Sequence, residues 1–344
     1  MKNRLVQPDM RDFFEKIYHD NGLRISNRRS LFKDVKQYIL NKSLVHKEKK
    51  MLNSFIGRAP DLIFIVGVPR SGSTLLHQLL AEHLDIAYIS NALSKYWMAP
   101  NYAKQFLLDN QSKSSISESR FSSSYGRTSG ENSPSEFGYF WQYWLNHKDH
   151  DQLSENDLTT IDWPNLSKTL NYLAHNFGSP LLLKNLNYIN FKISSIYEKL
   201  DAKFIHITRN PADVCSSIYN ARIREYGSDI NWWSIRPKSK KELSELSAWE
   251  QIFHQYLICE YEIYSQLEKL PPEKKLTLDY SQIIEDPEAS LISISKKFSI
   301  KSQIQSNILK KQIVSKSSKG WMNNSLEQKF EQLRRKYESS YHTT

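Results

Sequence analysis

Arg70, Ser71, Gly72, Ser73 and Thr74 bring together a guanidinium, three hydroxyls and a glycine in consecutive positions. The apolar run before them, Leu62, Ile63, Phe64, Ile65 and Val66, reads as a buried strand. After them Leu75, Leu76, Leu79 and Leu80 recur at helical spacing. A strand, a glycine-containing turn and a helix N-terminus aim unpaired backbone N–H groups and the positive helix end at one point, which suits a phosphate or a sulfate. Gly67 and Gly72 match the glycine frame of the nucleotide-binding phosphate loop, GxxxxGK[ST], but Ser73 occupies the place of its lysine. That lysine reaches the β- and γ-phosphates, so its replacement argues against an ordinary nucleoside triphosphatase. The cation comes earlier, at Arg70, whose planar fork can bind two anionic oxygens.

A second arrangement of the same kind lies further on. Lys203–Thr208, KFIHIT, reads as a strand and ends at Arg209, after which NPADVCSSIY begins a helix. Pro211 suits the first turn, where no amide is needed, and Asp213 favours the positive helix end. A strand-end guanidinium and the hydroxyl of Ser217, from the second helical turn, can converge on one phosphate.

The elements that position these groups follow a strand–helix–strand cadence. Further strands are expected at Ile86–Ile89, at Pro180–Leu183 leading into Lys184 and Asn185, and in KLTLDY, which ends at Tyr280. Helices are expected at Met10–Asp20, Arg28–Lys42, Pro100–Asn110, Phe191–Leu200 and Leu243–Leu270. This alternation indicates an α/β fold, a three-layer sandwich around a central parallel sheet with right-handed crossovers. Residues 1–58 form an N-terminal helical segment with a packing, lid or dimerisation role. The main domain takes 59–330, and 331–344 is a C-terminal tail. Within the domain, residues 112–135 are rich in serine and poor in apolar side chains, as expected of a mobile insert. Ser135 is placed to cap the aromatic helix that follows, in which Phe137, Tyr139, Phe140, Trp141, Tyr143 and Trp144 form either a core stripe or an acceptor wall.

Composition bounds the function. The chain has 344 residues, 39% hydrophobic and 24% charged, which fits a globular protein with a real core. No apolar run approaches the length of a membrane span, and the N-terminus lacks a secretory core, so a cytoplasmic location is expected. The two cysteines, Cys215 and Cys259, give neither a disulfide framework nor a metal site. The net charge of +10 is spread over scattered lysines, which speaks against a nucleic-acid stripe and fits an anionic ligand or a solvated surface.

VPRSGSTLL resembles the loop of sulfotransferases that use 3′-phosphoadenosine 5′-phosphosulfate (PAPS), and is closest to the PRSGTT form of the Golgi and tyrosylprotein branches. FIHITRNPADVCSSIY resembles the family's 3′-phosphate motif, commonly RNPKDVAVSxY. The likeness runs from residue 62 to about 325 and implies the P-loop nucleoside-triphosphate-hydrolase-like sulfotransferase fold. It further implies that Arg70, Ser71, Gly72, Ser73 and Thr74 hold the 5′-phosphosulfate, and that Arg209 and Ser217 hold the 3′-phosphate. KSSKGWMNN falls where the family carries a basic-glycine segment, so Lys319 and Gly320 are expected at the 3′-phosphate, although Ser318 replaces an arginine. Tyr280 survives from the family's Tyr-Glu-Asp segment, whose acidic pair is Ser281 and Gln282 here, and is read as a fold marker.

The reaction so implied is direct in-line transfer of a sulfuryl group from PAPS to a hydroxyl or amine of a carbohydrate, glycolipid or small metabolite. It leaves adenosine 3′,5′-bisphosphate and uses no metal. Arg70 is expected to stabilise the leaving phosphate. The base is the departure from the family: Asn91, Asn185 and Asn187 stand where relatives carry a glutamate or a histidine, and an asparagine cannot accept the proton. Glu136 is the first candidate, followed by Glu131 and His77, with Lys184 polarising the acceptor or contacting sulfate. A catalytically silent nucleotide- or glycan-binding relative, and a P-loop kinase, are the alternatives. Homodimerisation is compatible with the sequence.

Overall fold

A strand covered on both faces must be apolar throughout, and Leu62–Val66 (β1) is buried at every position. Its alternation divides the core. Leu62, Phe64 and Val66 join one apolar cluster with Phe140, Trp141, Leu166 and Leu170, while Ile63 and Ile65 join another with Leu76, Leu79, Ile205 and Ile294. The computed structural model describes residues 31–57, 59–108, 123–124, 127–145, 155–302 and 324–341.

The sheet comprises β1, β2 (Ala87–Tyr88), β3 (Leu181–Lys184), β4 (Lys203–Thr208) and β5 (Lys275–Asp279), in the order β2-β3-β1-β4-β5. Every neighbouring pair is parallel. Helices flank it: α1 (Leu31–Ser54), α2 (Ser73–His83), α3 (Gly138–Trp144), α4 (Trp163–Phe177), α5 (Ile193–Leu200), α6 (Pro211–Tyr226), α7 (Ala248–Glu268), α8 (Pro287–Phe298) and α9 (Asn324–Tyr341). This is the expected α/β architecture. The chain leaving β1 heads for the β2 edge, and the chain leaving β4 heads for the β5 edge. Adjacent strands whose connections diverge open a crevice beyond their carboxyl ends, and the Gly67–Gly72 loop and Arg209 both lie at those ends.

Several boundaries differ from expectation for local reasons. The helix expected over 243–270 begins at Ala248, because Ser247 and Glu250 form a reciprocal capping box; a 3₁₀ segment, Lys238–Glu245, precedes it. The segment expected as one helix over 100–110 is a turn of α-helix, Pro100–Tyr102, that widens into a π-helical stretch, Ala103–Leu107. Ser135 does not cap α3. Its hydroxyl accepts from Phe137 N (3.3 Å), and Phe137, in the left-handed region at φ 55°, is the residue that precedes the helix.

α1 continues well past Lys42, and its buried Glu48 accepts hydrogen bonds from the Asn101 side chain (2.8 Å) and Tyr102 N (2.8 Å). The domain boundary expected after residue 330 falls inside α9, whose Phe330 is buried against Phe253 and Tyr256 of α7. Met10–Asp20 and most of the serine-rich insert lie outside the described residues. Among the described residues no helix is long and apolar enough to cross a membrane. Cys215 and Cys259 are buried, unbridged, and raised in pKa by that burial.

Candidate active site

The loop after β1 is a tight turn: Ser71 N donates to Val68 O (3.1 Å), and Arg70 (φ 74°) and Gly72 (φ 100°) both take left-handed backbone. Only glycine fits position 72, since a Cβ there would lie 2.3 Å from the ring of Tyr280. Gly72 precedes α2 and provides no side-chain cap, so the first-turn amides are left for a ligand. The Ser71 hydroxyl is buried and makes no hydrogen bond. A buried donor without a partner in this cradle fits an anion that would accept from it. Asn190 braces the start of the loop from a distant part of the chain: its Nδ2 donates to Gly67 O (2.7 Å) and its Oδ1 accepts from Gly67 N (3.3 Å).

Arg209 stands at the end of β4. Beyond it Asn210 caps α6, accepting from Ala212 N (2.9 Å) and Asp213 N (3.4 Å), and Pro211 takes the first helical turn. The guanidinium of Arg209 donates to Arg70 O (3.2 Å), lies 3.5 Å from the Asp213 carboxylate and sits 4.2 Å over the Tyr280 ring. Arg70 turns the same way, its Nε donating to Ser217 Oγ (2.8 Å). The two motifs therefore meet directly.

Lys184 forms the second focus. It is buried at the end of β3, donates to Thr74 Oγ1 (2.8 Å) and forms an ion pair with Glu136. Asn185 Nδ2 donates to the Glu136 carbonyl (3.0 Å). The chain that carries Glu136 is docked by its backbone, with Ser135 N on Ile89 O (2.7 Å) and Asn91 N on Ser133 O (2.9 Å). Asn91 adds its side-chain amide, which donates to Thr128 O (3.2 Å), Thr128 Oγ1 (3.1 Å) and Gly130 O (2.9 Å). Asn91 thus serves as a strut for the segment bearing Glu136.

The other two candidate bases sit in different surroundings. His77 is buried, and burial together with the Lys184 charge pushes its imidazole down to about 3. Glu131 is exposed and paired with Lys95 (2.8 Å), whose hydrogen bond holds the carboxyl below its ordinary range. Lys319 and Gly320 lie outside the described residues. Among the described residues no cluster of His, Cys, Asp or Glu could hold a metal ion.

Residues 60–303 match the family profile described as the sulfotransferase family. The chain belongs to the sulfotransferase family. Similar solved structures include the sulfotransferase STF1 from Mycobacterium tuberculosis H37Rv (14% identity, 93% of this chain and 92% of that one, TM-score 0.51). STF9 from Mycobacterium avium is also similar (12% identity, 84% and 83% covered, TM-score 0.48). So is mouse sulfotransferase SULT7A1, solved in complex with PAP (14% identity, 88% and 96% covered, TM-score 0.38). No curated protein matches the sequence.

In this sulfotransferase, sequence reasoning missed three residues that shape the site. Tyr280, read as a marker of the fold, is the platform between Gly72 and Arg209. Asn190 carries no motif, and its contact with Gly67 spans 123 positions. Trp233 lies 6.0 Å over the Arg70 guanidinium. The Tyr-Ser-Gln stretch after β5 was the one signal for Tyr280; nothing local distinguishes Asn190 or Trp233. Of the aromatic stripe, Phe137, Phe140 and Trp141 are core residues, and Tyr139, Tyr143 and Trp144 are half-buried at its edge.

Proposed function

We propose that this sulfotransferase takes the sulfuryl group of PAPS and passes it by direct in-line transfer to a hydroxyl or amine of a carbohydrate, glycolipid or small metabolite. One observation carries the reading: the hydrogen bond from Arg70 Nε to Ser217 Oγ (2.8 Å) joins the loop after β1 to the strand-end motif after β4. A donor with phosphate groups at both ends of a nucleoside needs two such sites side by side. When bound, PAPS supplies an activated sulfuryl group on a phosphate leaving group.

The chain's own residues divide the work. The amides of Gly72, Ser73 and Thr74 and the Ser71 hydroxyl hold the 5′ end, while Arg209 and Ser217 hold the 3′-phosphate. Glu136 accepts the proton of the acceptor hydroxyl as its oxygen bonds to sulfur. Lys184 has three N–H groups, of which Thr74 and Glu136 engage two, and it places the remaining donor at the loop for charge developing on the leaving phosphate. Arg70, expected in that role, is oriented toward Ser217 in this structure.

The experiment is transfer of ³⁵S from labelled PAPS to a panel of phenols, sugars and glycolipids. Glu136→Gln should lower the rate by about 10²–10⁴-fold while leaving adenosine 3′,5′-bisphosphate binding intact. An unchanged rate in that variant would remove Glu136 as the base. Absence of label on any acceptor, with nucleotide binding retained, would favour a silent relative.

A further inference from the structure

Burial along α1 follows the helical repeat. Tyr38, Asn41, Leu44, Glu48 and Leu52 are buried against the body of the protein. Lys36, Ile39, Leu40, Ser43, Lys47 and Lys50 share the opposite, exposed side. That side combines apolar groups with unbalanced charge. Ile39 is 57% exposed and Leu40 38%. From residue 36 to residue 54 the one carboxylate is Glu48, which turns inward to Asn101 and Tyr102. The outward side therefore carries lysines with no acid of the same helix to offset them.

The surface continues across Tyr102. Lys47 Nζ donates to the Tyr102 hydroxyl (3.2 Å) and lies 4.9 Å from its ring, and the Tyr102 ring is 5.0 Å from that of Phe106. Phe106 and Leu107 close the π-helical stretch at 60% and 42% exposure. Of the eight large hydrophobic side chains exposed among the described residues, four thus belong to α1 and the stretch adjoining it. Single exposed apolar residues are ordinary, but a group of them among cations marks a docking surface. The face is also held firmly. Gln37 Nε2 (2.7 Å) and Asn41 Nδ2 (2.8 Å) both donate to Lys95 O, and Asn41 Oδ1 accepts from Met98 N (2.9 Å). Lys95 in turn pairs with Glu131, which joins α1 to the segment leading to Glu136.

We propose that this face docks the protein on an anionic lipid bilayer, with Ile39, Leu40, Phe106 and Leu107 entering the headgroup region and the lysines of α1 lying against the lipid phosphates. The chemistry favours a bilayer over a folded partner. Protein interfaces are anchored by arginine and tryptophan, and neither occurs in residues 31–54 or 100–107. An ammonium on a flexible stem suits a fluid array of phosphates, and lysines interleaved with Phe, Leu and Ile are the composition of an interfacial helix. This docking is independent of which donor the site takes.

The test is co-sedimentation of the whole chain with vesicles of phosphatidylcholine alone and of phosphatidylcholine mixed with phosphatidylglycerol. The wild type should bind the mixed vesicles, leave the neutral ones in solution, and be released by salt. Lys36→Gln combined with Lys50→Gln should weaken binding by about thirty-fold, roughly five-fold per lysine. Ile39→Ser combined with Phe106→Ser should weaken it by roughly ten-fold or more. All four side chains are exposed, so the circular dichroism spectrum should stay that of the wild type. Lys296→Gln combined with Lys297→Gln removes the same charge from the exposed side of α8 and should leave binding unchanged. The proposal is overturned if the wild type ignores the mixed vesicles or binds the neutral ones equally. It is overturned too if the α1 variants bind as the wild type does, or if the α8 variant loses as much as they do. Self-association in sedimentation velocity that Ile39→Ser with Phe106→Ser removes, without vesicle binding, would give the face to a second copy of the chain instead.

Discussion

Replacing Gly72 by alanine inserts a Cβ at 2.3 and 2.5 Å from Tyr280 Cδ2 and Cε2, on backbone held at φ 100°. The left-handed backbone costs an L-residue about 1–2 kcal/mol. Overpacking against the ring adds about 1–3 kcal/mol. Gly72→Ala should therefore destabilise the protein by roughly 2–5 kcal/mol, a large share of a domain's total. Tyr280 is half-buried and can swing away, but only by leaving its place 4.2 Å under the Arg209 guanidinium. The damage should thus reach nucleotide binding as well as stability. Urea unfolding of Gly72→Ala, Tyr280→Ala and the double variant separates the two contributions. The double variant should regain the packing part, about 1–3 kcal/mol, and keep the backbone part, giving a clear coupling energy. A single variant within about 0.5 kcal/mol of wild type, or strictly additive variants, would show that the ring and the glycine are not in contact and that Tyr280 does not support Arg209.

Asn91→Asp exchanges a donor that faces three oxygens for another oxygen, so the segment delivering Glu136 should loosen at a cost of about 1–3 kcal/mol. Limited proteolysis within 127–135 should accelerate, and an unchanged digestion rate would deny Asn91 its role as strut. Burial lowers His77 to about 3 and His206 to about 4, so the native state binds fewer protons than the unfolded chain below the ordinary histidine value, about 6.5. That stability is present above about pH 6.5 and is lost as pH falls toward the folded values. Glu260, raised by burial to about 7, acts in the opposite sense: between its ordinary value and about 7 the native state binds the extra proton, and stability is lost as pH rises. Glu260→Gln should therefore steepen the rise of the unfolding free energy, read from urea titrations, between about pH 4.5 and 6.5 by one proton's worth, about 1.4 kcal/mol per pH unit. An unaltered slope would show that the Glu260 carboxyl titrates normally.

The parallel sheet was legible because β1, β3 and β4 are short apolar runs whose neighbours switch to helical spacing. Arg70 and Arg209 were legible because each sits where strand gives way to helix, a place marked by glycine or proline, and Ser217 because it lies in the second turn of the helix so begun. The partnership of Glu136 with Lys184 was not, since it depends on how the 127–137 segment folds back across the end of β2 and on Asn91, which looked only like a missing base. Trp233 was hidden for a related reason. Its carbonyl is held by Gln255, a polar residue on an amphipathic helix whose complete burial no local pattern announces.

The central claim is that the site takes a 3′-phosphorylated adenosine nucleotide. A thermal-shift titration of the wild type with adenosine 3′,5′-bisphosphate, beside ADP and ATP with magnesium, tests it most directly. At a hundredfold excess over its dissociation constant the bisphosphate should stabilise the protein by about 2.7 kcal/mol, several degrees in Tm, and Arg209→Ala should abolish the shift. A shift with ATP and magnesium but none with the bisphosphate would contradict the account.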